Sequence, residues 1–86
     1  MTINEFLQKY RKQRNGMQIV RPRVRCADGY TVSVQAGNRW NSEPQLDTGW
    51  YSKVELGYPT AADEELRDYA DEKRDLRKTV YGFVPV

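Results

Sequence analysis

Between residues 17 and 36 the chain carries two alternating runs whose phase leaves little choice of pairing. In MQIVRPRVRC (17–26), Val20, Val24 and Cys26 alternate with Arg21, Arg23 and Arg25. In YTVSVQA (30–36), Tyr30, Val32, Val34 and Ala36 alternate with Thr31, Ser33 and Gln35. Side chains along a strand point to opposite faces in turn, so each run has one apolar and one polar face. A two-residue turn at Asp28-Gly29 would set Val24 against Ser33 and mix the faces. A three-residue loop, Ala27-Asp28-Gly29, with Gly29 left-handed in a G1 bulge, sets Cys26 against Tyr30, Val24 against Val32, Pro22 against Val34 and Val20 against Ala36. The arginines then oppose Thr31, Ser33 and Gln35 on the far side. A one-residue slip would exchange every side chain between faces, so the three-residue loop is the expected geometry. Pro22 has no N–H to give a ladder, which puts its strand at an edge or turns position 22 outward.

The flanking segments read more simply. Thr2 and Glu5 form a T-x-x-E capping box, and Ile3, Phe6, Leu7 and Tyr10 follow as one apolar stripe. Lys9, Arg11, Lys12 and Arg14 suit the negative end of a helix, and Asn15-Gly16 offers a left-handed stop, giving a helix over 2–14. Residues 37–49 lack alternation and read as a long loop. Residues 50–58 read as a strand with Trp50, Val54 and Leu56 inward and Lys53 and Glu55 outward, ended by Pro59. Thr60 to Asp63 suggests an N-cap, and Ala62, Leu66, Tyr69 and Ala70 mark the stripe of a second helix over 61–70. DEKRDLRK reads as a solvated stretch, and the uncharged TVYGFVPV (79–86) as a closing strand. The expected architecture is a single α+β domain over 1–86, an antiparallel sheet of about four strands with two helices in the order α-β-β-β-α-β.

With 86 residues, no histidine and one cysteine, the chain has no His-based triad, no internal disulfide and no Cys-built zinc site. No motif names a reaction, so the expectation is a non-enzymatic protein without cofactor or metal. No apolar window reaches the roughly 18 residues of a membrane span, and no signal-peptide core is seen at the N-terminus, which points to the cytoplasm. Cys26 is expected as a buried structural thiol, since no histidine can activate it. Charge is unevenly placed. Residues 1–36 hold seven Lys/Arg against Glu5 and Asp28, a net of +5; residues 37–86 hold seven against ten acids, a net of −3. Such asymmetry suggests an interaction surface rather than a fold.

The candidate contact residues follow from these patterns. Arg21, Arg23 and Arg25 project from one sheet face, and Lys53 can join them if its strand pairs nearby. A row spaced by about 7 Å can meet acidic side chains or successive phosphates. The long loop adds Arg39 and Trp40, residue types enriched at binding hot spots. Each has a plainer reading: the arginines as a solvated face, Trp40 as a lid over a thin core.

PRVRCADGYTVSVQAG (22–37), VELGYP (54–59) and TVYGFVPV (79–86), preceded by a short capped helix, resemble small accessory proteins of bacteriophages and prophages of gut bacteria. By analogy with anti-CRISPR proteins, the resemblance implies a stoichiometric inhibitor. Its partner in the host cytoplasm would be a protein or ribonucleoprotein, such as a Cas effector. It would dock through the arginines or insert the acidic 63–75 stretch into a nucleic-acid channel. The alternatives are direct nucleic-acid binding by the basic face and a structural assembly role through the uncharged last strand.

Overall fold

The computed structural model describes all 86 residues. Helix α1 spans Ile3–Lys9 and starts on the expected capping box: the Glu5 N–H donates to Thr2 Oγ1 at 3.1 Å and the Thr2 N–H to Glu5 Oε1 at 3.0 Å. It stops well short of residue 14. The Asn15-Gly16 pair serves a hairpin instead, in which β1 (Arg14–Asn15) pairs with β2 (Gln18–Ile19) around Gly16-Met17. Only Gly16 of that turn has a positive φ, at 64°, the pattern of a II′ turn. The Val20 N–H then returns to the Gln13 carbonyl at 3.0 Å, closing the excursion.

The main sheet is antiparallel, in the order β3 (Val24–Arg25), β4 (Thr31–Gln35), β5 (Lys53–Gly57), β6 (Val80–Pro85). The expected register is present where the first pair is formed: Val24 faces Val32 and Arg25 faces Thr31. The Cys26 N–H meets the Tyr30 carbonyl at 2.8 Å across the three-residue loop, with Gly29 at φ 92°. That ladder ends at Val24. Position 22 cannot donate, and the chain leaves the sheet there, so Pro22 against Val34 and Val20 against Ala36 do not form as rungs. β3 lies at the sheet edge, and Pro22 precedes it outside the ladder.

One face of the sheet carries the core. Leu7 of α1 packs on Val32, Val34, Ala36, Tyr51 and Val54, while Ala70, Leu76, Tyr81 and Val84 form a second cluster. Leu56 touches both. Against expectation Trp50 is 64% exposed and Tyr51 is buried in its place. The cause is a clamp from the helix: the Asn4 side-chain amide donates to the Tyr51 carbonyl at 2.9 Å and accepts the Tyr51 N–H at 2.8 Å. Cys26, expected inside, is exposed, because it sits at the turn beyond the reach of α1.

The expected second helix is a 3₁₀ helix, Glu64–Tyr69, capped by Asp63 and burying no residue. Beyond it, Ala70 bridges to Tyr81, and the Asp71 N–H donates to the Val80 carbonyl. This backbone flanks β6 on the side away from β5. Further along, the Val86 N–H bonds Ser52, which extends the β5–β6 ladder, and the Phe83 N–H bonds Asn41 of the long loop. The outer side of β6 is thus covered at Val80 and Tyr81, whereas β3 pairs with β4 alone. No helix is long and apolar enough to cross a membrane.

Candidate functional site at the open edge of the sheet

Of the three arginines expected on one solvated face, Arg21 is not there. It is 3% exposed. With the ladder broken at Pro22, the Gln35 carboxamide stands in for a neighbouring strand: it accepts the Arg21 N–H at 2.9 Å and donates to the Arg21 carbonyl at 2.9 Å. Held this way, the Arg21 side chain turns inward. Nε donates to the Leu7 carbonyl at 2.9 Å and Nη1 to the Ala36 carbonyl at 2.7 Å, while Nη2 has no partner. Leu7 lies in the C-terminal half of a short helix, where carbonyls favour a cation. Burial pushes the guanidinium pKa down, and Tyr51 and Asp47 oppose that shift. Arg21 is a structural residue and has no part in an outward row.

Arg23 and Arg25 do share the outer face. Arg23 is tied across the sheet, Nε donating to Thr31 Oγ1 at 3.1 Å and Nη2 to the Tyr58 carbonyl. Arg25, opposite Thr31, is exposed and enters none of the ion pairs. The other expected contact residues sit elsewhere. Lys53 lies two residues before Glu55, which faces Gln35 at the far end of β4, and its backbone pairs with that of Glu43. By register Lys53 falls six residue steps along β4 and its extension from Arg25, roughly 20 Å. Arg39 and Trp40 lie in the loop leaving that same far end. Arg39 is exposed at φ 74°, and Trp40 is half-buried, its Nε1 donating to the Ile19 carbonyl at 2.7 Å. Trp40 thus ties the loop to β2, and it packs against neither apolar cluster, so it is not the lid expected over the core. The loop continues across the outer face, where the Asn41 N–H donates to Glu55 Oε1 at 3.1 Å. It thus stands between Lys53 and the two arginines.

What the sequence did not single out is a groove beside Arg23 and Arg25. It encloses about 350 Å³ between α1 and the β3 segment. Met1, Thr2, Ile3, Phe6 and Tyr10 line it from the helical side, and Pro22, Arg23, Val24 and Arg25 from the other. Phe6 and Tyr10 meet edge to face with centroids 5.1 Å apart. The sequence offers only the width of the helical stripe Ile3-Phe6-Leu7-Tyr10; that β3, two residues long, leaves part of it uncovered is visible only in the fold. Leu7 is fully buried, whereas Ile3 and Tyr10 remain partly open.

The arrangement can hold apolar side chains against the groove and acidic ones against the arginines. It presents no nucleophile paired with a base, and no set of three Cys, Asp or Glu side chains converges as a metal-holding group. Compared with family models, curated proteins and solved structures, the chain shows no significant match to any of them.

Proposed function

We propose that this chain is a non-enzymatic binding protein that acts by docking on another protein, with the Arg23/Arg25 edge of the sheet as its contact surface. The observation that carries this reading is the coincidence of two outward guanidinium groups, an apolar groove and an uncovered strand edge at one place. Apolar area flanked by arginine is the composition of an interface core with its rim. The phage-like resemblance narrows the proposal to a stoichiometric inhibitor of a host defence complex, a Cas effector being the leading candidate. Loss of Arg21 from the outward row leaves two cations where phosphate tracking would use a longer series, so nucleic acid ranks second.

Affinity capture from a bacterial host carrying an active CRISPR-Cas system, read by mass spectrometry, tests the proposal. The expected result is one partner held at near-equal stoichiometry by the native chain, lost with Arg23→Glu plus Arg25→Glu, and retained by Arg39→Ala plus Trp40→Ala. Absence of any protein partner, or capture indifferent to the first pair, would overturn it. A complex with nucleic acid that weakens steeply with salt would favour the second reading.

A further inference from the structure

The uncovered edge has a defined hydrogen-bonding polarity. The Cys26 N–H bonds the Tyr30 carbonyl, so by antiparallel alternation Val24 also turns its backbone groups toward β4. Arg25, and Arg23 where the chain stays extended, therefore turn their N–H and C=O groups away from the sheet. Next to these outward groups lies the groove, its apolar walls on the α1 side. Val24 packs on that side, Arg23 is bonded on the opposite face, and strand alternation sends the Arg25 side chain to that same opposite face, while both arginine residues border the groove.

We propose that this edge takes up an extended peptide segment of alternating apolar and acidic residues as a fifth strand of the sheet. The inference deepens the protein-docking reading above and rests on it. An added strand would bond its backbone to Arg25 and Arg23. Its residue facing Val24 would enter the groove against Ile3 and Phe6. Its residues facing Arg23 and Arg25 would lie on the outer face, where carboxylates complete ion pairs that the protein itself does not supply. Charge also selects against the simplest rival occupant. A second copy pairing antiparallel about Val24 would set Arg23 directly against its own Arg25, and like charges facing across strands are unfavourable.

The probe is a synthetic peptide of four Val-Glu repeats flanked by Ser-Gly, with a Val-Lys version as control, titrated against the full chain by fluorescence anisotropy and by NMR. The Glu peptide is expected to bind at least roughly tenfold tighter than the Lys peptide, a difference of one decade in Kd. The Arg23 and Arg25 amides should gain exchange protection on binding. Arg25→Ala removes the charge alone, whereas Arg25→Pro also removes the outward N–H and spares the β4 ladder. Binding should fall further with proline than with alanine, provided the variant's free spectrum stays folded; the amide protection of the native chain decides the matter if it does not. Equal binding of both peptides, unprotected Arg23 and Arg25 amides, or a dimer built on β3 in sedimentation would overturn the inference. If the peptide fails while a captured protein still depends on Arg23 and Arg25, strand addition falls and the docking reading stands. If the peptide binds as described and no cellular partner is captured, the opposite holds.

Discussion

A guanidinium taken out of water costs several kcal/mol unless its donors find acceptors. Arg21 finds two backbone carbonyls, which would otherwise be buried at the junction of α1 with the end of β4. Arg21→Ala should therefore lower stability by about 2–4 kcal/mol, the sum of lost charge-assisted bonds and of a cavity, less the relief of desolvation. A urea titration would read this as a lower midpoint at unchanged slope. Arg25→Ala, on the exposed face, should stay within about 0.5 kcal/mol. Nothing in the alternation of 20–26 distinguishes the three arginines. The distinguishing residue is Pro22, whose missing N–H ends the ladder and frees its neighbour to rotate inward. Asn4 is the same lesson from the other side: a polar residue on a helical stripe gives no sign that it will clamp Tyr51 and expel Trp50.

The elements that were legible are those whose period and caps agree. The capping box, the β4 alternation and the three-residue loop with Gly29 all appear in place. The first helix is shorter than its sequence suggests because Asn-Gly serves a helix stop and a hairpin turn equally well, and only the return of Val20 to Gln13 decides between them. The second matches a 3.6-residue stripe in sequence, but a six-residue 3₁₀ helix has three residues per turn and lines up Leu66 with Tyr69 instead. The long loop is tied down by backbone geometry that side-chain patterns do not display. Gly37 has φ 129°, and a Cβ there would stand 2.6 Å from Asp47 Oδ1, which accepts the Asn38 N–H. Gly37→Ala should destabilise by about 1–3 kcal/mol. Gly16, also at positive φ but with open space around it, should cost about 1 kcal/mol on the same change. Thermal melts of the two variants side by side check the order.

Across the whole molecule, one buried carboxylate runs against the usual acid response. Burial raises the Glu55 pKa, the Asn41 N–H opposes that shift, and Asp71 adds to it. A folded pKa above the unfolded value means that the native state binds the proton more tightly. The contribution of Glu55 is thus most favourable below the ordinary glutamate range and is lost as pH rises through the folded value. Glu55→Gln keeps an acceptor for Asn41 and should raise the melting temperature at pH 7, with the gain shrinking toward pH 3. Glu5, Glu64, Glu72 and Asp75, lowered by their hydrogen bonds, act in the other direction, but from exposed positions where solvent screens them. Leu56, shared by the two apolar clusters, couples the α1 half of the molecule to the half built on Tyr81. The brevity of β3 has a consequence of its own. A border only two residues long, bearing permanent positive charge, is too small to seed a growing stack of identical chains. The molecule can keep one seam unsewn in a crowded solution without polymerising, and a guest must bring both the thread and the opposite charge.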